Sequence, residues 1–310
     1  MQASSFDMPD NWSELAPYVI AGKEDVVRHI IGAEKCFFYD TCAFWNHAGI
    51  TDPTPIFDYI KYQKGIVVLT KMILAELCSG NQKLWEEHIQ YVQKMKQHGI
   101  SVLVIAEEDV FTVLGSCYSG TMQVNQMFSN AIKYTKSKTG SVEDVLLKNK
   151  TLKKEIMSSS GSKDSSLAER FFEEVKRNKL PGDNLGEELL AICLHMLANI
   201  PGCEVYKYIV LTDDYVAMKL FGKVKENVQK HIGRRCISGV TTAKLCWLMV
   251  NSGILLDVNG VIDIISSGHR DKQLRVYSSE QYELAPSEKT MTIEEFSEKI
   301  VNESGVKIYL

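Results

Sequence analysis

Short apolar runs, rich in aromatic and β-branched residues and each followed by a stretch of helical periodicity, limit what this chain can become. They are 36–40 (CFFYD), 66–70 (IVVLT), 100–106 (ISVLVIA) and 205–212 (VYKYIVLT), with 236–238 as a short fifth. Runs of this length and composition predict buried strands, and the helical stretches between them predict β–α–β units joined by right-handed crossovers. The expected architecture is a three-layer α/β/α fold with a central, mostly parallel sheet. Ligands gather outside the carboxyl ends of the strands in such sheets. Asp40, which ends the first run before Thr41, is therefore the first candidate for chemistry.

Residues 11–33 predict an amphipathic helix, with Leu15, Val19, Val26, Val27, Ile30 and Ile31 as apolar positions. Trp45, Asn46 and His47 are read as a loop. Pro53 and Pro55 introduce a short helix over 55–63, 71–77 is helical, and 81–98 is a polar helix closed by Gly99. Residues 108–135 are helical, and 133–155 holds seven lysines against three acids. The serine-rich stretch Met157–Ser166 is read as a mobile loop, and a helix over 167–178 ends near Pro181-Gly182. Residues 107–180 thus read as a helical insertion in a simpler α/β core. Asp183–Glu188 opens a buried apolar helix, 216–228 is amphipathic, and 241–251 is a helix closed by Gly253. Beyond residue 255 the pattern changes. Residues 254–265 and 273–282 alternate like strands, and 293–301 has helical spacing. A main domain over 1–255 and a small C-terminal α+β appendage over 256–310 are expected.

Composition narrows the function. With 310 residues and 45% hydrophobic content, the chain can build a sizeable core. The net charge of −4 confines any nucleic-acid contact to local patches. No apolar run is long enough to cross a membrane, and the polar, acidic N-terminus is unlike a secretory signal. The eight cysteines form no C-x-x-C pair, so free thiols in a cytoplasmic setting are expected. Scattered histidines argue against zinc. No G-x-G-x-x-G follows an early strand, which removes a dinucleotide-binding oxidoreductase.

Four carboxylates fall at equivalent strand-to-helix junctions. Asp40 ends strand one, Glu76 lies just past strand two, Glu187 is in the first turn of the buried helix, and Asp214 follows Thr212-Asp213 after strand four. Singly, each has an ordinary role as a turn residue, a cap or a solvated helix charge. Together they would repel unless a cation neutralises them, and oxygen ligands without His or Cys fit Mg²⁺ or Mn²⁺. Glu188 and Asp183 compete with Glu187 for the third position.

The ordered set Asp40-Thr41, Glu76-Leu77, an acid opening a later apolar helix, and Thr212-Asp213-Asp214 resembles PIN-domain metal-dependent ribonucleases. The stretch Gly239–Leu255 is similar to the closing helix of that family. The resemblance covers roughly 36–106 and 183–255 and leaves out the insertion and the tail. It implies hydrolysis of a phosphodiester, most directly in RNA with DNA also compatible, by water activated on metal held by Asp40, Glu76, Glu187 and Asp214. Thr212 would orient a ligand carboxylate or contact phosphate, and Asp213 would be an outer ligand. A toxin or defence nuclease, with an antitoxin, another protein or a second copy as partner, fits the family.

Lys223, Lys225, Arg234 and Arg235 are the candidate phosphate contacts, with the lysine-rich 133–154 as a second basic stretch. Trp45 reads equally as a base-stacking or a core residue, and His47 is a second candidate for stacking. Cys42 occupies the place where a haloacid-dehalogenase-like phosphatase needs its second Asp, which removes that reading. A catalytically quiet scaffold of the same fold, binding RNA or a protein, is the competing function.

Overall fold

The structure is a computed structural model that describes residues 8–78, 81–136, 140–157, 163–179, 183–268, 273–280, 283 and 285–309. In the first half, α1 (Trp12–Leu15), a 3₁₀ turn (Ala16–Tyr18) and α2 (Lys23–Gly32) lead into β1 (Lys35–Tyr39). Then follow α3 (Thr41–Ala48), α4 (Thr54–Tyr62), β2 (Gly65–Thr70), α5 (Lys71–Glu76), α6 (Glu86–Gln97) and β3 (Val102–Ile105). Next come α7 (Asp109–Cys117), α8 (Thr121–Thr135), α9 (Ser141–Lys148), α10 (Lys150–Ile156), α11 (Leu167–Arg177) and α12 (Leu185–Leu197). The chain returns to the sheet through β4 (Tyr208–Leu211), α13 (Tyr215–Ile232), β5 (Ile237–Val240) and α14 (Thr242–Asn251). It ends with α15 (Val258–Ser266), β6 (Gln273–Ser279), β7 (Ser287–Thr292), α16 (Ile293–Asn302) and β8 (Lys307–Ile308).

The central sheet has the order β3-β2-β1-β4-β5 with every pairing parallel. Successive side chains of a strand point to opposite faces, and the two cores divide accordingly. Cys36, Phe38, Val68, Leu103, Ile105, Tyr208 and Val210 join one core with α2 and α7–α13. Phe37, Tyr39, Val67, Leu69, Val104, Ile209 and Leu211 join the other with α3, α4, α6 and α14. This is a three-layer α/β/α arrangement. Strand order reverses at β1, which lies between β2 and β4, so the crevice between the carboxyl ends of β1 and β4 is the switch point where ligands bind in such sheets.

Several local expectations differ from the structure. The expected single helix over 11–33 is broken at Pro17. Ile20 runs extended beside β3, receiving a bond from the Val104 amide and donating to the Val102 carbonyl at 2.9 and 2.8 Å. Trp45, Asn46 and His47 lie on helix α3, not on a loop, because Asp40 caps that helix by accepting from the Thr41 amide at 2.8 Å. The run over 254–265 is helical from Val258 on and holds no strand, because the Asp257 side chain accepts from the Gly260 amide at 2.7 Å and starts α15. The apolar positions Leu255, Val258, Val261, Ile262 and Ile265 also recur every three or four residues, and period two and period 3.6 are hard to separate in a run this short. The serine-rich 158–162, Pro181-Gly182 and 281–282 lie outside the described residues.

The helices over 107–180 share a continuous core with the sheet, Phe128, Phe171 and Leu189 belonging to one cluster. The 256–310 segment forms its own antiparallel sheet, β7-β6-β8, yet Val261, Val276 and Phe296 share a core with Met249 of α14. A buried ion pair fastens α11 to the sheet edge. Glu107, fully buried, accepts from the Met72 amide at 2.9 Å in the first turn of α5, and Lys176 of α11 sits 3.1 Å from its other oxygen. Burial pulls the Lys176 ammonium down, but Glu107 and Glu108 outweigh it and hold the group above the usual lysine range. Removing one member of such a pair strands a buried charge. Lys176→Met is expected to cost about 3–5 kcal/mol of unfolding free energy in urea, and adding Glu107→Gln restores most of it. Equal losses in the single and double variants would contradict the pairing.

Candidate functional site

Asp40 leaves the end of β1 with only 2% of its surface exposed. A carboxylate there needs donors, and three are present. Thr212 donates its hydroxyl to Oδ2 at 2.7 Å, the Cys42 thiol donates to the same oxygen at 3.0 Å, and the Thr41 amide donates to Oδ1 at 2.8 Å. Burial pushes the Asp40 carboxyl up, these three bonds pull it back, and Asp214 adds repulsion; the net direction is upward. The Cys42 thiol is pushed up as well, by burial and then by Asp40, so it stays protonated and donates rather than attacks.

Each of the other acids is set by its own helix. Glu76 ends α5 and accepts the Thr41 hydroxyl at 2.6 Å and the Lys179 ammonium at 2.6 Å. Its carboxylate lies against the first turn of α12, where a Cβ on Gly186 would stand 2.7 Å from Oε2, so only glycine admits that approach. Asp214 caps α13, accepting from the Val216 and Ala217 amides at 2.6 and 2.9 Å, and its own amide donates to Thr212 at 3.1 Å. Glu187 differs from these. Its Oε2 is buried and makes no hydrogen bond. Its carboxyl is pushed up to about 7, first by burial, then by repulsion from Asp40, Glu76 and Asp214. Those four acids therefore converge closely enough for each of the other three to be felt at Glu187.

The other sequence candidates lie elsewhere. Glu188, a competitor for the third position, points away and accepts from the Val142 amide at 2.9 Å at the start of α9. Asp183 is held by Lys179 at 3.1 Å. Asp213 is turned to the opposite face of the sheet, with its oxygens taken by the Thr242 amide and hydroxyl, both at 2.7 Å, and by the Asn46 amide group at 3.1 Å. That bonding makes it a clamp between α3, α13 and α14 instead of an outer ligand. His47 is a satisfied core residue, bonded to Tyr39 at 3.0 Å and Thr242 at 2.9 Å, and burial lowers it to about 4. Trp45 is about half exposed against Trp85 and His88.

The far end of the basic stretch lies away from the acids. Helix α13, capped by Asp214, runs 18 residues, about 27 Å at helical rise, before Arg234 and Arg235. Arg234 donates to the Ala198 carbonyl at 2.9 Å and to that of Ile200, beyond the far end of α12. Arg235 lies at that same far edge, its carbonyl bonded to the Tyr206 amide at 2.9 Å. Lys223 and Lys225 are exposed along the helix. In the lysine-rich segment Glu143 pairs with Lys136 and with Lys153.

Two features went unread in the sequence. Lys179 places an ammonium inside the acid cluster, and its only trace is the Lys179/Asp183 spacing of four. Burial lowers that ammonium, but Glu76 and Asp183 outweigh the effect and hold it above the usual lysine range. Gly186 is the second, hidden because a glycine in a first helical turn has no distinctive pattern.

Among the described residues no group of three His, Cys, Asp or Glu side chains is already arranged to hold a metal ion. The donor set is nonetheless all hard oxygen, and the orphaned oxygen belongs to a Glu187 carboxyl that feels the other three acids, which fits a divalent cation with oxygen preference. No described helix is long and apolar enough to cross a membrane. No family model, no curated protein and no solved structure matches this chain.

The Glu187 shift fixes a pH dependence. Its folded value of about 7 lies above the ordinary 4.5, so between these values the folded state keeps a proton that the unfolded chain has lost. Stability is then greatest on the acid side of that window, falls as pH rises through it, and levels above about 7. Glu187→Gln is expected to raise the melting temperature of the metal-free protein at about pH 8 and to leave it nearly unchanged near pH 5. An equal change at both values, read by calorimetry, would refute the repulsion.

Proposed function

We propose that this chain is a Mg²⁺- or Mn²⁺-dependent endoribonuclease of the PIN type. The observation that carries the reading is the half-buried Glu187 carboxylate, one oxygen of which is buried without a hydrogen bond, within repulsive reach of Asp40, Glu76 and Asp214 at the switch point of a parallel sheet. Such crowding destabilises a fold and is tolerated where function needs it. A divalent ion there would offset the repulsion, lower the pKa of a bound water and stabilise charge on the scissile phosphate. Asp40, Glu76, Glu187 and Asp214 are the residues that would hold it.

The chain's own groups prepare the rest. Thr212 fixes the rotamer of Asp40 through its 2.7 Å bond and ties it to the Asp214 amide at 3.1 Å. Thr41 orients Glu76 at 2.6 Å. Cys42 stays a thiol, which leaves water as the attacking group. Lys179 serves as the internal cation of the metal-free cluster, paired with both Glu76 and Asp183. A divalent ion that takes Glu76 must displace it.

Asp40→Asn and Asp214→Asn are each expected to reduce Mn²⁺-dependent cleavage of single-stranded RNA to background while the far-ultraviolet circular dichroism is retained. Intact RNA after incubation with the wild-type protein and Mn²⁺ would instead favour the quiet scaffold, a reading to which the fully bonded Asp40 and the Lys179 pairing lend weight. Lys179→Met, by removing the competing cation, is expected to tighten Mn²⁺ binding in calorimetric titration. Weaker binding in that variant would show that Lys179 supports the site instead of competing for it.

A further inference from the structure

A cleft of about 610 Å³ opens beside the acid cluster, between the start of α13 and the C-terminal sheet. Asp214 and Tyr215 form its inner wall, and Gln273–Tyr277 of β6 form its outer wall. That size is within the range of small-molecule sites and admits a nucleotide. Side chains alternate along a strand, so five consecutive residues border one cleft only if the strand's edge faces it. The pairing agrees: among the described residues, β6 pairs with β8 through Ser278 and Ser279, and the Tyr309 amide bonds to the Tyr277 carbonyl at 2.8 Å, which leaves the edge of 273–276 toward the cleft.

The chemistry of the walls identifies an occupant. Tyr215 is 63% exposed and Tyr277 is 39% exposed, and both line the cleft. Large apolar rings left open in this way are what unpaired bases stack on. Cations are at hand: the Lys219 ammonium, next to the cleft, lies over one face of the Tyr215 ring, 4.2 Å from its centre, so a base would stack on the other face, and the exposed Arg275 of β6 lines the cleft. Glu288, opposite Tyr277 in the β6–β7 register, offers an acceptor to the amino group of a base. The open backbone edge adds donors and acceptors for base edges. Stacking rings, a cation in the cleft with a second next to it, and edge-reading groups are the requirements for a single-stranded polynucleotide.

We infer that this cleft binds single-stranded RNA, with Tyr215 and Tyr277 as stacking platforms and Lys219 and Arg275 as phosphate contacts, and that it feeds the strand to the acids through Asp214. The inference rests on the nuclease reading and adds to it a role for the C-terminal sheet. The basic groups that matter are thus at the acid edge, not at Arg234 and Arg235.

The test measures binding without catalysis. Fluorescence anisotropy of a short fluorescein-labelled oligouridylate is followed with the full chain in EDTA. Tyr215→Ala and Tyr277→Ala are each expected to weaken binding about 5- to 100-fold, with Tyr215→Phe and Tyr277→Phe restoring it. Arg275→Glu, at an exposed strand position, covers the case in which an alanine variant fails to fold; it is expected to weaken binding and to lower the salt slope by about one. Affinities within about twofold of wild type for Arg275→Glu and for every folded alanine variant, no binding by the wild type, or tighter binding of the matching deoxy strand would each overturn the inference. Cleavage of RNA in Mn²⁺ with no effect of the cleft variants on binding would overturn this cleft and leave the nuclease reading standing. Binding that depends on the cleft, without cleavage, would do the reverse.

Discussion

A nearly fully buried carboxylate, Asp40, at the end of the middle strand is the constraint around which this structure is arranged. Burying a charge is costly unless it is bonded. The chain meets that demand from two elements: Thr41 and Cys42 from its own following helix, and Thr212 from the end of β4. The bond from Thr212 is also a bond between strand ends, so satisfying Asp40 fixes the edge of the β1–β4 pair. The Asp214 amide on Thr212 then sets the start of α13, and the Thr41 hydroxyl on Glu76 sets the end of α5. One buried acid thus organises the ends of two strands and the starts of two helices.

The cluster is balanced rather than relaxed. Asp40 is stabilised by donors, Glu76 by the Lys179 ammonium and by the helix start behind Gly186, and Asp214 by the amides that it caps. Glu187 has no such compensation at its buried oxygen and holds its proton to about pH 7 instead. A site with one bare acid and one resident cation has charge to exchange with a ligand: a divalent ion could replace a proton and an ammonium together. The opposite face of the same strand ends is bonded to completion, from Tyr91 through Tyr39, His47 and Thr242 to Asp213. Rigid support on one side and unmet charge on the other is the division expected of a working site.

Much of this was legible in the sequence. The apolar runs gave the strands within three residues, and their helical connections gave the parallel sheet, because hydrophobic period and run length are local signals. The junction acids were legible for the same reason, since a strand end marks a sheet edge. What escaped depends on contacts between distant segments. Asp213 and Asp214 are adjacent in sequence, and only the approach of Thr242 decides that they face opposite ways. Glu187 and Glu188 were separable only by helix phase and the position of α9. Lys179 reaches Glu76 across 103 residues of sequence separation. Arg234 and Arg235 looked suited to phosphate in composition, but a long helix carries them to the far edge. The helix α15 reads as a strand in the sequence because its cap, Asp257, lies in a run whose apolar residues fit both periods.

The most direct measurement is crystallographic: crystals grown without metal are soaked in Mn²⁺, and anomalous scattering is used to locate the ion. The prediction is a peak among Asp40, Glu187 and Asp214, at the oxygen distances of a divalent cation, with the Lys179 ammonium withdrawn from Glu76. No peak in the cluster at saturating Mn²⁺, with Lys179 still paired to Glu76, would contradict the claim that these carboxylates are gathered to hold a metal.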